Sequence, residues 1–450
     1  MPLRWVWRLS LVALAPLVIV SGGFCDPGNV VAKSSDRSHI ADAPASTAES
    51  EDHAPIVGTL EFLESYPEET GLNLPEFSEA SQIWPVVLRQ AEKSIDVASF
   101  YFSRSGDGMD SPAPAGLVDH LVTSLNALAM AAGNGVQVRV LGDARFQKTY
   151  PEALACLDAV EGVESRVIDL NSLWGGVMHA KYFQVDEELL YVGSQNWDWR
   201  ALTQIRELGA LITHPGMAAD LRRIFELDWS LAAGLDSQPV AIPENISFAH
   251  LPHAQLETTS GELVEAVLAA SPQGGLPEDI PWDLPLLLEM IAAANSSVNL
   301  QLLSYNVSDR DGHYFAELDN ALRAAAARQV KVSILISNWS KAYYKLHWLQ
   351  SLAAVRNIEL KFSNIPEHSL GFIPYARVEH PKYMTVDGQA AWVGTSNWSR
   401  DYFYSSRNVS LFFQGAGAAT PLDRFFARGW NSPYSETVDP SGQYEPPVIE

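Results

Sequence analysis

The chain has 450 residues, 47% of them apolar, and a formal net charge of −24. That length and apolar share support two or three domains, or one large duplicated one, with ample core. The charge excludes the chain-wide basic footprint of a nucleic-acid binder, so any anionic substrate must be held by a local cluster of cations.

The acid is unevenly spread: residues 21–80 hold twelve acids against Lys33 and Arg37, whereas residues 81–430 are only mildly acidic. At the N-terminus, Arg4 and Arg8 precede an apolar run from Leu9 to Val20 and then small residues. Residues 1–24 therefore read as a signal peptide. With Trp5–Trp7 included the run reaches anchor length, so membrane attachment through the N-terminus stays open. Either reading implies an extracytoplasmic protein: secreted, periplasmic or lumenal. Residues 25–55, rich in Ala, Ser, Asp and Pro without periodicity, read as a disordered acidic linker. Of the two cysteines, Cys156 sits in a helical pattern and reads as a small buried hydrophobe, so no disulfide framework is expected.

Order is expected from about residue 56. A helix over Trp84–Lys93 feeds a strand over Ser94–Phe102; a helix over Leu117–Ala132, a strand over Val136–Leu141 and a helix over Pro151–Val160 follow. A further helix covers Gly216–Ala233. Residues 234–282, with Pro, Gly and Ser clusters and a short helix near Glu262–Ala270, read as the joint between halves 56–233 and 283–435. The second half repeats the order. A helix over Leu284–Asn295, capped by Asp283, precedes a strand over Ser297–Tyr305. A helix over Phe315–Arg328, a strand over Val330–Ile336 and a helix over Lys341–Ala354 come next, then a strand over Val409–Phe413 and a helix over Pro421–Gly429. Residues 436–450 form a Pro-rich tail over the surface. The fold class is α/β: two similar halves, each a mixed, mostly parallel sheet flanked by helices, packed about a pseudo-two-fold axis.

The strongest signal is a stretch present twice. Residues 179–197 read HAKYFQVDEELLYVGSQNW and residues 380–398 read HPKYMTVDGQAAWVGTSNW, identical at nine of nineteen positions at an offset of 201. Strand alternation places His179 with Lys181, and His380 with Lys382, on one face. Asp186 and Asp387 sit at hairpin corners and read as structural, tying the turn. Gly193 and Gly394 admit close backbone approach to a ligand. Ser194, Thr395, Asn196 and Asn397 then follow at what reads as a helix start, where donors converge on an anion. A two-fold axis puts two of each group around one point. The lysines, hydroxyls and amides bind a phosphoryl group; one imidazole attacks phosphorus and the other protonates the leaving oxygen, with no metal or cofactor needed.

The halves differ 28 residues after each histidine, where Glu207 answers Asn408. A carboxylate on one ring nitrogen makes the other a better nucleophile, so His179 is expected to attack and His380 to act as the acid. The plainer reading of Glu207 is a salt bridge with Arg206 or another neighbour. Trp197 and Trp398 read as packing, and Phe100, Tyr101 and Tyr305 as core with base stacking the minority reading. His214, His250, His253, His313, His347 and His368 show no metal-ligand spacing.

His-x-Lys-x4-Asp twice, each followed by Gly-[Ser/Thr]-x-Asn, resembles the phospholipase D superfamily. The stretches WDWRALTQIRELG, IPYARVEHPKYM, VGTSNWSRDYF and WNSPYS resemble its phospholipase D3 and D4 branch. The resemblance implies the duplicated α/β fold, metal-independent phosphodiester chemistry and a covalent histidine intermediate. By position it makes His179, Lys181, Asn196, His380, Lys382 and Asn397 catalytic and Glu207 the orienting carboxylate. It also implies 5′-exonuclease action on single-stranded DNA and RNA, or lipid transphosphatidylation. Single-stranded nucleic acid needs local cations, and Arg377, Lys382, Arg400 and Arg407 cluster in sequence around the second motif. A phospholipid substrate needs an apolar rim, for which Trp174, Phe372 and Ile373 are candidates. A catalytically dead scaffold is disfavoured because both motifs are complete, and no obligate protein partner is implied.

Overall fold

In the computed structural model, residues 56–108, 113–235, 246–308 and 312–450 are described, so the expected leader and linker lie outside them. The first half contributes β1 (Val57–Ser65), β2 (Ser94–Ser99), β3 (Gln137–Asp143), β4 (Val163–Ile168), β5 (Tyr182–Val185), β6 (Leu189–Gly193) and β7 (Glu207–Thr213). The region expected as a joint adds β8 (Ala254–Thr258) and β9 (Leu263–Ser271). The second half supplies β10 (Ser297–Leu302), β11 (Lys331–Ser337), β12 (Ile358–Ser363), β13 (Tyr383–Val386), β14 (Ala390–Gly394) and β15 (Asn408–Gln414), and β16 (Ser435–Thr437) closes an edge.

Strands β2, β3 and β4 run parallel, as do β10, β11 and β12. The repeated stretches then turn back as hairpins, so β2–β5–β6–β7–β1 and β10–β13–β14–β15–β9 are antiparallel throughout. The duplicated α/β architecture is as expected, but its parallel share among these strands is one three-stranded unit per half and the β1–β8 pair. The reason is local: a hairpin corner at Asp186 or Asp387 can only join antiparallel neighbours.

The expected helix near Glu262–Ala270 is instead β9, which pairs with β8 and with β15. Its small Ala266 lies opposite Phe413 and its Val267 opposite Phe412. Tertiary pairing of a small-residue strand against aromatic partners outweighs the helix preference of an Ala-rich run. Because β8 pairs in turn with β1, the joint stitches both half-sheets into one continuous sheet.

The longer helices cover the sheet: α1 (Ala80–Arg89), α2 (Leu121–Gly133), α3 (Pro215–Ala232), α4 (Asp283–Ala293), α5 (Glu317–Ala327), α6 (Tyr343–Ala353) and α7 (Ala416–Trp430). Asp283 is not the cap of α4. It is the first helical residue, after Trp282, and accepts a hydrogen bond from Ser410 Oγ at 3.0 Å; burial pushes its carboxyl up to about 7. The tail does more than drape: β16 pairs with β12, and Tyr444 packs on Phe362 at 5.2 Å. Cys156 is half-buried rather than buried. Among the described residues no helix is long and apolar enough to cross a membrane.

Candidate active site

The site forms where the halves meet, and the backbone repeats itself there. His179 N donates to Arg407 O at 3.0 Å, and His380 N donates to Arg206 O at 2.9 Å, so each motif is entered from a strand-like contact with the opposite half. Gly193 N donates to Lys181 O, and Gly394 N to Lys382 O, closing each loop beneath its lysine. Arg206 pairs with Glu379 and Arg407 with Asp228, all four side chains fully buried. These two ion pairs brace the joint on either side of the site. The plainer reading of Glu207 as the partner of Arg206 is thereby excluded.

Both imidazoles are buried within reach of the same two lysine charges. Burial, then the charges of Lys181 and Lys382, hold His179 well below the usual histidine range; the same forces, with His179 itself, act on His380. Lys181 and Lys382 are 1% exposed, and each donates to the carbonyl of its own motif histidine. Burial and their mutual repulsion push Lys181 down, and burial takes Lys382 to about 7 despite the pull of Glu207. Asn196 and Asn397 lie beside them: Asn196 Nδ2 donates to Tyr101 Oη at 3.4 Å and Asn397 Nδ2 to Tyr402 Oη at 3.1 Å.

Glu207 does not orient His179. Its carboxylate crosses to the other half and meets His380 Nδ1, with both oxygens at 2.8 Å. His179 Nδ1 is met instead by Asn408 Oδ1 at 3.0 Å. The position 28 residues beyond a motif thus serves the opposite motif, because β7 and β15 run back across the site. Asn408 Nδ2 donates to the carbonyls of Tyr402 and Ser406, which fixes its oxygen toward the ring. His179 therefore carries its proton on Nδ1 and presents a bare Nε2.

The hydroxyls expected on the phosphate are committed elsewhere. Ser194 Oγ donates to Glu207 and accepts from Leu208 N; Thr395 Oγ1 donates to Asn408 and accepts from Val409 N. They hold the orienting residues rather than the substrate. The glycines are also demanded by packing: a Cβ on Gly193 would strike Tyr191 and Gln195, and one on Gly394 would strike the Trp392 ring. Asp186 accepts from the backbone of Glu92, Lys93 and Ser94, and Asp387 from Asn295, Ser296 and Ser297. Each aspartate clamps the start of the neighbouring parallel strand to the hairpin corner.

Of the cations clustered around the second motif, Arg407 is buried on Asp228, and Arg377 is buried on the carbonyls of Pro366 and Glu68. Neither faces a strand of nucleic acid. Trp197 and Trp398 are buried packing residues. Sequence reasoning missed Tyr402, whose ring packs edge-on to that of His179 with centroids 4.8 Å apart. His214 lines one cavity of about 690 Å³ together with His250 and His253. Among the described residues no group of three or more His, Cys, Asp or Glu could hold a metal ion.

Two half-sites, each with a buried histidine, lysine and asparagine, fit an enzyme of the phospholipase D superfamily, a class of phosphodiester hydrolases. The chain matches the family described as cardiolipin synthase, PLD-like domain, twice, over residues 86–229 and 287–430, and belongs to it. It is 34% identical to the 5′-3′ exonuclease PLD3 of Homo sapiens, over 84% of this chain and 81% of that protein. It is 32% identical to Phospholipase D Z of Dictyostelium discoideum, over 85% of this chain and 91% of that one. A phosphatidylserine synthase from Haemophilus influenzae shares the fold, with a TM-score of 0.55 at 11% identity, over 80% of this chain and 85% of that one.

Proposed function

We propose that the protein is a 5′-to-3′ exonuclease on single-stranded DNA or RNA, working through a phospho-histidine without a cofactor. The observation that carries the chemistry is the unequal backing of two otherwise equivalent histidines. His179 faces a neutral amide, so burial favours its neutral form with a bare Nε2. Burial also pushes Glu207 up to about 8, against the pull of Lys382 and a hydrogen bond from Ser194. The His380–Glu207 pair is then net neutral with one proton shared on the Nδ1 side and another on Nε2. One histidine is built to attack and the other to donate. The assignment is that expected from the sequence, but for the reverse reason: the carboxylate marks the acid.

In the first step the Nε2 lone pair of His179 attacks phosphorus and the bond to the leaving O5′ breaks, with the proton passing from His380 Nε2 to that oxygen. Lys181, Lys382, Asn196 and Asn397 hold the equatorial oxygens. In the second step His380 takes a proton from water, the oxygen bonds to phosphorus, and the P–N bond returns its electrons to His179. The product is a 3′-mononucleotide. Nucleic acid as substrate rests on the likeness to proteins named as 5′-3′ exonucleases. An extracytoplasmic location belongs to the same proposal and is supported by the leader pattern.

The alternative, a headgroup phosphodiesterase on phospholipid, has Leu370 and Phe372 as exposed apolar residues. Of the rim expected for it, Ile373 is buried and Trp174 is half-buried against Arg407. The test offers a 5′-hydroxyl oligonucleotide, a 5′-phosphorylated one and phosphatidylcholine to the enzyme with chelator present. Stepwise 3′-mononucleotide release from the first supports the proposal; choline release alone rejects it.

A further inference from the structure

The pairs that touch the phosphate are matched across the two halves, but the walls behind them are not. After β2 come Phe100 and Tyr101; after β10, at the same register, come Leu303 and Ser304. After β3 and its cap Asp143 a short helix carries Phe146; after β11 and its cap Ser337 the matching position is Ser340. The same contact is made in each half with different chemistry. Phe146 packs on Phe100 at 4.0 Å between ring centroids, whereas Ser340 Oγ donates to Leu303 O at 3.1 Å.

On the His179 side the result is a continuous aromatic wall. Phe100 lies 4.9 Å from the His179 ring, Phe146 lies on Phe100, and Tyr101 stacks between Phe146 and Tyr150 at 5.6 and 5.3 Å. Phe100 and Phe146 remain half-buried and so partly exposed. The wall is also tied to the attacking group, since Asp143 caps the helix bearing Phe146 and accepts from Met178 N, next to His179, at 2.8 Å.

We propose that this one-sided wall, with Phe146 as its outer ring, is the stacking subsite for the 5′-terminal nucleobase. The inference rests on the exonuclease reading and on His179 as nucleophile. The terminal nucleoside stays attached to the phosphorus that His179 captures, while the rest of the strand departs on the His380 side. A wall on the His179 side therefore holds the part retained in the intermediate, and a small, polar wall opposite lets strands of any length leave. Stacking is indifferent to which base is present, as an exonuclease that consumes a whole strand requires.

The test compares a 5′-hydroxyl oligodeoxynucleotide with the same strand carrying a tetrahydrofuran abasic unit at its 5′ end. The wild-type enzyme should make its first cut about tenfold less efficiently on the abasic strand, the effect of one stacked base. Phe146→Ala should bring that ratio close to one, and Phe146→Trp should restore it, with melting curves confirming that both fold. If the wild type cuts both strands equally, the exonuclease reading stands and the subsite falls. If Phe146→Ala keeps the tenfold ratio, the base sits elsewhere. If the wild type cuts neither strand, the exonuclease reading itself is overturned.

Discussion

The half that carries Glu207 and the half that carries Asn408 share a backbone hydrogen-bond plan and differ in one atom set behind each imidazole. On the proposed mechanism, two identical cradles could not by themselves decide which histidine attacks. The crossing of β7 and β15 makes each cradle depend on a residue from the other half. A single difference, carboxylate against amide, is then enough to divide the labour. Neither half is complete alone.

The sharpest way to break the comparison is to remove each histidine in turn. His179→Ala and His380→Ala should each lower oligonucleotide turnover by about 10⁴-fold or more, as for residues acting as one unit. They should part on a diester whose leaving group is p-nitrophenolate, which needs no acid. There His380→Ala should still accumulate a phospho-adduct detectable by mass spectrometry, and His179→Ala should form none. An adduct on the His179→Ala protein would reverse the roles.

Next in size is Glu207→Gln, which makes the two halves alike. Loss of the carboxylate leaves nothing to hold the second proton in the His380 pair, so turnover should fall about 10²–10³-fold, the typical contribution of a positioned acid. The alkaline limb of the pH profile should move to lower pH. The reciprocal change, Asn408→Asp, puts a carboxylate behind His179 and raises its affinity for a proton. Its acidic limb should move to higher pH, with a loss of about tenfold at pH 5 and less at pH 8. Movement in the opposite directions would mean that Glu207 serves the nucleophile.

The duplicated stretch made the two His-Lys-Asn sets legible because their spacing is set by a strand and a hairpin, both local. What was not legible is what depends on which strand crosses which. Glu207 was recognised as important yet given to the wrong histidine, since nothing local says that β7 serves the opposite cradle. Ser194 and Thr395 looked like phosphate donors because their register is that of the asparagines, but a hydroxyl one residue nearer the strand end points to the orienting residue instead. β9 reads as helix by composition and becomes a strand only because β15 offers Phe412 and Phe413. Arg407 and Arg377 look like substrate cations until the carboxylate and carbonyls that bury them are seen.

The smallest effect belongs to the hairpin corners, and it separates structure from chemistry. Asp387 receives three backbone N–H groups and the Ser296 hydroxyl. Burial works against its charge, but these donations outweigh it and bring the carboxyl down to about 2. A carboxylate with a depressed folded pKa stabilises above its unfolded value near 3.8, and the contribution is lost as pH falls toward 2. Asp387→Asn keeps one acceptor and turns the other into a donor facing an N–H, which should lower stability by roughly 1–2 kcal/mol at pH 7 in denaturant melts. The gap to wild type should narrow below pH 3.8, while kcat/KM stays within about twofold of wild type because the corner lies at the far end of β13 from His380. Asp186→Asn should match it in stability, since the same three-donor clamp starts β2. A large loss of kcat in either variant at full folding would place that aspartate in the chemistry.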